Sequence, residues 1–285
     1  MLQVKVNATS ANVCVGFDVL GLALSLDNTF TFELKDDFSF KGFLAKYACK
    51  ENNLVYASYI KVFEQLNLKP IPVEIGFTGD IPVSRGLGSS SSLIVAGVFA
   101  ANYFIGNKLS KEQLLDICCQ IEGHPDNVAP AILGGLVASY KTNNGYQSIS
   151  YPVSNKLKFF AVIPPFELPT HKARAVLPKA LEYKDIINNL SRIIHLPKAF
   201  KEGDIKLLKD LFNDKLHEPY RGSLIKGYSE IKELLADEAA AFAISGSGST
   251  MLIIAYDDSV INKISHLGYE IKSLSVGDGV SLKEV

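Results

Sequence analysis

The spacing of hydrophobic and polar residues predicts a protein that mixes strands and helices. Alternating or short continuous apolar runs predict strands at residues 4–8, 29–34, 38–43, 71–77, 157–163, 241–244, 251–255 and 269–274. Apolar residues spaced three and four apart, or longer apolar runs, predict helices at 53–66, 93–104, 111–122, 186–200, 205–212 and 224–236. This mixture lacks the steady strand–helix–strand rhythm of a doubly wound parallel sheet.

A glycine- and serine-rich segment, residues 79–92, follows one of these strands and leads into the most apolar helix. Pro82, Gly86 and Gly88 exclude a helix through its middle. The serines from Ser89 to Ser92 then open the helix, and serine is a favoured N-cap because its oxygen accepts a free N–H of the first turn. We therefore predict a loop that presents backbone N–H groups to an anion. The Walker pattern is absent, and a simple turn that caps a buried helix is the alternative.

Two further segments place polar residues among apolar ones. Asn12 and Asp18 lie within the apolar run 8–24, where they fit either local turn chemistry or the polar floor of a pocket. Residues 122–130 are predicted as a loop that follows a helix and brings Glu122, Asp126 and Asn127 together. A carboxylate held there is a candidate Mg²⁺ ligand, and a solvated loop is the alternative.

The C-terminal half contains two arginines of interest and another glycine-rich turn. Arg174 lies in a predicted loop at 168–178, and Arg221 lies between two predicted helices. Each is either a solvated surface residue or a bidentate clamp for a carboxylate. Residues 245–250 are predicted as a turn between two strands. A polar segment at 141–151 precedes this half, and we place a domain boundary at its end, which divides the chain into residues 1–152 and 153–285.

Composition and charge limit the kinds of partner that this protein is expected to bind. The 285 residues are 47% hydrophobic and 21% charged, enough for one large domain or two ordinary ones. The net charge of −1 and the lack of a long basic run predict no nucleic-acid partner, and no apolar run reaches the roughly 18 residues of a membrane span. None of the four cysteines lies in a C-x-x-C pair, and the histidines lack zinc-ligand spacing. We therefore expect reduced cysteines, no zinc site, no membrane partner and a cytoplasmic location.

Four motifs in one order together resemble the GHMP small-molecule kinases. They are residues 10–21 with Asn12 and Asp18, residues 82–92, residues 124–130, and residues 245–250. The first and third are similar to segments of the homoserine kinase branch of that family. The resemblance covers nearly the whole chain and implies an α+β fold of two domains, the first of the ribosomal S5 domain 2 type and the second ferredoxin-like, with the active site between them. It also implies transfer of the γ-phosphoryl group of ATP to the side-chain hydroxyl of L-homoserine, in threonine biosynthesis, by a homodimer.

The resemblance implies a role for each matching position. ATP is expected at Pro82, Val83, Ser84, Arg85, Gly86, Leu87, Gly88, Ser89, Ser90, Ser91, Ser92 and Asn53, with Leu54 beside the adenine. L-Homoserine is expected at Asn12, Asp18, Asp126, Asn127, Thr170, Arg174 and Arg221. Ser90 and Glu122 are expected to hold Mg²⁺, and Asn127, Glu122 and Arg174 to act in catalysis. Arg85 contacts a phosphate or faces solvent, and no general base is identified.

Two other functions stay open. A GHMP kinase for another alcohol, such as mevalonate, would keep the phosphate loop, but the polar pairs Asn12 with Asp18 and Asp126 with Asn127 argue against it. A catalytically inactive binder could have the same fold, but such a protein is expected to lose the loop glycines or Glu122, which this chain keeps.

Overall fold

The computed structural model describes all residues from Met1 to Val285. Its strands are β1 (Leu2–Ser10), β2 (Leu20–Leu34), β3 (Ser39–Lys41), β4 (Val73–Gly79), β5 (Leu136–Thr142), β6 (Gly145–Tyr151), β7 (Lys158–Ile163), β8 (Ala240–Ile244), β9 (Met251–Ala255), β10 (Glu270–Leu274) and β11 (Ser281–Glu284). Its helices are α1 (Leu54–Gln65), α2 (Ser89–Phe104), α3 (Lys111–Glu122), α4 (Pro125–Leu133), α5 (Thr170–Ala175), α6 (Tyr183–Ile193), α7 (Leu196–Glu202), α8 (Ile205–Leu211), α9 (Glu218–Arg221), α10 (Tyr228–Leu234) and α11 (Ser259–Asn262).

The first sheet has seven strands and packs against four helices. Its strands lie in the order β11-β1-β2-β4-β3, with β5 paired to β2 and β6 paired to β5. All pairs are antiparallel except β3 with β4. A core of 28 buried residues joins β1, β2 and β4 to α1–α4, and α2 is buried over most of its length. No helix of the chain is both long enough and apolar enough to cross a membrane.

The second sheet has four antiparallel strands in the order β10-β7-β9-β8. Side chains alternate along β7, because successive residues of a strand point to opposite faces. Phe159 and Ala161 belong to a core shared with the first sheet, whereas Phe160 and Val162 belong to a core that includes α10 and α11. Both faces are therefore buried, which explains the continuous apolar sequence of this strand. The two mainly antiparallel sheets with their helices confirm the expected α+β class.

One core connects the two sheets. Its 26 buried residues include Leu22 of β2 and Leu87 from the first half, and Phe159 of β7 and Phe200 of α7 from the second. The last strand, β11, pairs with β1 of the first sheet, so that the chain returns to its starting half. The domain limits 1–152 and 153–285 stay a prediction, and β11 is the one strand beyond residue 153 that joins the first sheet.

Two segments predicted as loops contain helices, so both loop predictions are wrong. Residues 122–130 include the start of α4, whose first residue is Pro125. Proline is tolerated there because the N–H that it lacks would have no partner inside the helix. Residues 168–178 include α5, which begins directly after Pro169. Proline marks the start of a helix in both segments rather than its exclusion.

Several element limits also differ from the sequence predictions. Segment 141–151 is largely a hairpin formed by β5 and β6. The predicted strand 29–34 is the end of the longer β2, and 38–43 is reduced to β3. The predicted helix 186–200 is divided into α6 and α7, with Pro197 at the start of α7. Gly227, with φ +85°, precedes α10 and delays that helix to Tyr228.

Glycine allows the loop between β4 and α2, residues 80–88, to contact the turn between β8 and β9. Gly86 has φ +75°, and a Cβ atom there would lie 2.1 Å from the carbonyl oxygen of Ser245. Ser245 Oγ donates to the carbonyl oxygen of Gly86 at 2.7 Å and lies 2.9 Å from Oγ of Ser10. The glycine loop, as we call residues 80–88, is thereby joined to the ends of β1 and β8.

We expect Gly86→Ala to destabilise the fold more than Gly106→Ala. Both glycines have positive φ, +75° and +81°, and left-handed backbone costs an alanine about 1–2 kcal/mol. Only the methyl group at residue 86 also meets backbone atoms, since nothing lies within 4 Å of a Cβ at residue 106. Urea unfolding of the two variants measures the difference, and equal losses of unfolding free energy would contradict the close backbone contact.

Candidate active site

One cleft of about 350 Å³ brings together most of the residues that the sequence singled out. The predicted residues that line it are Asn12, Asp18, Asn53, Leu54, Val83, Ser84, Arg85, Gly86, Gly88, Ser89, Ser90, Glu122, Asp126, Asn127, Thr170, Arg174 and Arg221. They come from both halves of the chain. Four predicted ATP-binding residues are not part of this lining: Pro82, Leu87, Ser91 and Ser92. The last three are buried.

The N-terminus of α2 opens toward the cleft without a side-chain cap. Gly88, with φ +69°, is the N-cap residue, and no side chain bonds to the first turn. The expected serine cap is therefore wrong, since Ser89 already belongs to the helix. Glycine is required here because a Cβ at residue 88 would lie 2.0 Å from Oγ1 of Thr9. The free N–H groups of the first turn and the helix dipole favour an anion at this end of the cleft.

Ser90 and Glu122 place oxygen atoms beside that N-terminus. Ser90 Oγ donates to the two carboxylate oxygens of Glu122 at 2.7 and 3.0 Å, and Ser91 Oγ donates to Oε1 at 2.9 Å. Mg²⁺ usually takes one or two oxygen ligands from protein and the rest from phosphates and water, so this pair fits the ion. No cluster of three His, Cys, Asp or Glu residues in the chain could hold a metal ion alone.

The end of the cleft beside α1 is mainly apolar. Its lining includes Phe43, Leu44, Tyr47, Leu54 and Phe77. The side chain of Asn53 forms hydrogen bonds with two backbone groups at this end. Its Oδ1 accepts the N–H of Tyr56 at 3.0 Å as the N-cap of α1, and its Nδ2 donates to the carbonyl oxygen of Tyr47 at 2.9 Å. A flat, largely apolar group such as a nucleobase fits these side chains.

Two opposite charges meet in another part of the cleft. Arg174 donates from both terminal nitrogens to the carboxylate of Asp18, at 3.0 and 2.8 Å. The hydrogen bonds to Asp18 raise the pKa of Arg174 against the effect of burial. Asp18 has φ +55°, and its N–H donates to Oδ1 of Asn12 at 3.1 Å. Asn12 Nδ2 in turn donates to the carbonyl oxygen of Gly246 at 2.7 Å, which ties this acidic residue to the β8–β9 turn.

Arg221 approaches the same place from α9 and is only 2% exposed. Its Nε and one terminal nitrogen donate to the carbonyl oxygens of Ala173 and Gly246, both at 3.1 Å. Its guanidinium lies 5.1 Å from the ring centroid of Phe17, and the guanidinium of Arg174 lies 5.8 Å from the same centroid. Burial and the charge of Arg174 lower the pKa of Arg221 to about 10, so this side chain is a cation at neutral pH.

The start of α4 contributes an ion pair and an amide. His124 Nδ1 lies 2.6 Å from Oδ1 of Asp126. Burial alone would lower the pKa of His124, but the hydrogen bond to Asp126 and the charges of Asp126, Glu122 and Asp18 outweigh it and raise that pKa. Asn127 Oδ1 accepts a hydrogen bond from Oγ1 of Thr9 at 2.8 Å, which leaves its Nδ2 as an available donor.

Arg85 and Thr170 line the cleft from opposite halves of the chain. The carbonyl oxygen of Arg85 accepts the N–H of Thr250 at 3.0 Å, whereas one terminal nitrogen of its guanidinium is buried without a hydrogen-bond partner. The hydroxyl of Thr170, the first residue of α5, lies 3.4 Å from that of Ser247. Arg85 therefore supplies a cation with an unused N–H donor.

His124, Ser247 and Phe17 are three of the lining or supporting residues that the sequence predictions of the site omit. His124 lies in a noted motif, but its role depends on the first turn of α4, which brings Asp126 to its ring. Ser247 lies in a noted turn and reaches the cleft only because that turn packs on the glycine loop. Phe17 lies between two noted residues, and nothing in the sequence marks an apolar ring as the support for two distant arginines.

Comparisons with known proteins point to one family. A model described as GHMP kinases N terminal domain matches residues 53–135, and one described as GHMP kinases C terminal matches residues 197–270. A homoserine kinase of Clostridium botulinum is 42% identical over 260 residues, which cover 90% of this chain and 87% of that protein. A homoserine kinase of Clostridium beijerinckii is 41% identical over 279 residues, which cover 96% and 93%. The crystal structure of homoserine kinase from Cytophaga hutchinsonii has a TM-score of 0.86 at 28% identity and covers 99% of this chain and 97% of that chain.

We expect Asp126→Asn to lower the pKa of His124, because the carboxylate that favours the imidazolium is lost. The pH titration of the ring-proton NMR signals measures this change, and the exposed His266 is an internal control. A raised folded-state pKa adds stability that is complete below the ordinary value of 6.5 and is lost as pH rises through the folded value. The stability lost in Asp126→Asn is therefore expected to be greater at acidic than at alkaline pH, and the opposite trend would contradict the ion pair.

Proposed function

The chain belongs to the GHMP kinase family, and we propose that it acts within that family as a homoserine kinase. In this reaction the γ-phosphoryl group of ATP passes to the side-chain hydroxyl of L-homoserine, which gives O-phospho-L-homoserine and ADP in threonine biosynthesis. The observation that carries the proposal is the contact of Asp18 with Arg174, at 2.8 and 3.0 Å, in the same cleft as an uncapped helix N-terminus.

The paired charges suit an amino-acid acceptor. L-Homoserine carries an ammonium and a carboxylate on one carbon atom. The carboxylates of Asp18 and Asp126 can receive the ammonium, while Arg174 and Arg221 can receive the carboxylate. A small zwitterion presents the reverse of the Asp18–Arg174 pair and can exchange that one ion pair for two. Arg221 keeps one terminal nitrogen for this purpose, since its other two nitrogens contact backbone carbonyl groups.

ATP fits the rest of the cleft. The apolar side chains near α1 suit the adenine, and the N-terminus of α2 suits the phosphates. Gly86 and Gly88 adopt the positive φ angles that shape the loop around this end of the cleft. Arg85 lines this part of the cleft and carries a positive charge, which supports a contact with a phosphate.

Mg²⁺ is part of the proposal. Ser90 Oγ and the Glu122 carboxylate would hold it, because they are adjacent oxygen donors beside the phosphate end of the cleft. When bound, the ion supplies neutralisation of phosphate charge and alignment of the phosphates.

Transfer depends mainly on positioning and on charge stabilisation. The available Nδ2 of Asn127 can hold the acceptor hydroxyl or the oxygen to which charge develops. No lysine lines the cleft, so we propose no Asp–Lys pair as the base. Catalysis by Asn127, Glu122 and Arg174 then consists of holding the reacting groups in line.

The alternative acceptors suit this cleft less well. Mevalonate has a carboxylate but no ammonium, so it could draw Arg174 away from Asp18 without offering Asp18 a cation in return. Galactose has no charge and offers no opposite charge to Asp18, Arg174 or Arg221. Buried or half-buried charges without partners are costly, and this cost is a basis for rejecting both alcohols.

The proposal also includes assembly and location. Homodimer formation is proposed from the family resemblance alone. A cytoplasmic location is proposed from the use of ATP and from four free cysteines, three of which are buried.

We expect acceptor-site and metal-site substitutions to affect different substrates. Arg221→Ala and Asn127→Ala should raise KM for L-homoserine by about tenfold or more, since each removes a hydrogen bond to a charged or reacting group. Ser90→Ala and Glu122→Ala should instead impair the use of Mg·ATP. Glu112→Ala is a matched control, because Glu112 lies on the same helix as Glu122 but is exposed. Normal turnover by Glu122→Ala would reject the metal assignment.

We expect ADP release with Mg·ATP to be strong with L-homoserine and weak with L-serine, L-threonine, mevalonate and galactose. L-Serine is one methylene shorter, so its hydroxyl falls short when both charged groups are held. A coupled ADP assay with each alcohol at equal concentration measures this preference. Preferred turnover of another alcohol would refute the acceptor site, and ligand binding without ADP formation would favour the inactive binder.

A further inference from the structure

Glu218 is a buried carboxylate that takes no part in the reaction proposed above. It is 2% exposed. Its Oε1 accepts the backbone N–H of Ile244 at 2.6 Å, and its Oε2 accepts the hydroxyl of Tyr228 at 3.0 Å. Burial raises the pKa of Glu218 to about 7. A carboxylate is costly to bury, so its two hydrogen bonds are needed to keep it in this place.

Glu218 belongs to the helix that carries Arg221. α9 has only four residues, too few to be stable through its own hydrogen bonds. Asp214 holds its N-terminal end, since Oδ2 of Asp214 accepts the N–H groups of His217 and Glu218 at 2.7 and 2.8 Å. Glu218 connects the same helix to β8 and α10. These two carboxylates therefore contribute to the orientation of α9.

The side of α9 that contacts β8 also carries the arginine of the acceptor site. Glu218 and Arg221 are three residues apart and so lie on one side of the helix. Glu218 accepts the N–H of Ile244, the last residue of β8, and Arg221 donates to the carbonyl oxygen of Gly246 at 3.1 Å. A displacement of α9 along β8 would move both contacts, and with them the guanidinium of Arg221.

We propose that Glu218 is a positioning residue for acceptor recognition, which fixes α9 against β8 so that Arg221 faces the carboxylate of L-homoserine. This inference rests on the proposed function, because it requires Arg221 to bind the acceptor. Ser90 and Glu122 bond to each other and not to α9. We therefore expect the loss of Glu218 to affect the acceptor more than ATP.

Steady-state kinetics of two substitutions test this role. Glu218→Ala removes both acceptor oxygens, and we expect KM for L-homoserine to rise by about tenfold or more, with KM for ATP changed by less than about twofold. Glu218→Gln keeps an oxygen for the N–H of Ile244 and offers an amide to the oxygen of Tyr228, so it should stay near the wild type. Glu230→Ala, at an exposed position of α10, is the control.

A double-mutant cycle then separates positioning from a general loss of structure. If Glu218 acts through Arg221, adding Glu218→Ala to Arg221→Ala should raise KM for L-homoserine little further. Additive effects, parallel rises in both KM values, or a Glu218→Gln variant as impaired as Glu218→Ala would overturn the proposal.

Two further outcomes keep the result unambiguous. If Glu218→Ala does not fold, Tyr228→Phe removes one of the two hydrogen bonds, and the same cycle with Arg221→Ala gives the answer from a smaller rise in KM. A wild-type protein that does not phosphorylate L-homoserine refutes the proposed function and this role together. Normal wild-type turnover with an unchanged KM in the Glu218 and Tyr228 variants refutes only the role of Glu218.

Discussion

The cleft depends on the close contact of the glycine loop with the turn that follows β8 and with the end of β1. Gly86 and Gly88 bring the glycine loop against the turn that follows β8 and against the end of β1, at distances that no Cβ atom could occupy. The carbonyl oxygen of Gly246 then accepts hydrogen bonds from both Asn12 and Arg221, which come from opposite halves of the chain. Because the same contacts join the two halves and arrange the polar groups, the fold and the site cannot be adjusted independently.

The distribution of charge distinguishes the two substrates. The phosphate end offers helix N–H groups and the cation Arg85, whereas the acceptor end offers both signs of charge in close contact. Two arginines and two aspartates nearly balance there, so an acceptor with balanced charges is favoured over a simple anion or a neutral sugar. The ring of Phe17 lies 5.1 Å from the guanidinium of Arg221 and 5.8 Å from that of Arg174, so one aromatic side chain packs against both cations.

The sequence predicts which segments matter better than it predicts how they are built. The motifs with Asn12, Gly86, Asp126 and the 245–250 turn all line one cleft. Each of these motifs contains residue types that are expected where the chain turns or where two segments come close together. The start of α4 is not predicted because a proline such as Pro125 is compatible with the first turn of a helix as well as with a loop. The predicted serine cap is wrong because the N-cap residue lies too close to Thr9 for a residue with a Cβ atom, so that glycine is required. Such tertiary contacts between remote residues leave no local pattern in the sequence.

In the proposed site the acceptor is held by its ammonium and its carboxylate, so that only its hydroxyl meets the γ-phosphate. Phosphorus NMR of the product formed from ATP and L-homoserine shows which group has been phosphorylated. We expect a phosphate monoester whose phosphorus couples to the adjacent methylene protons, with an equal amount of ADP. An acyl phosphate on the carboxylate, or ADP with inorganic phosphate alone, would contradict it.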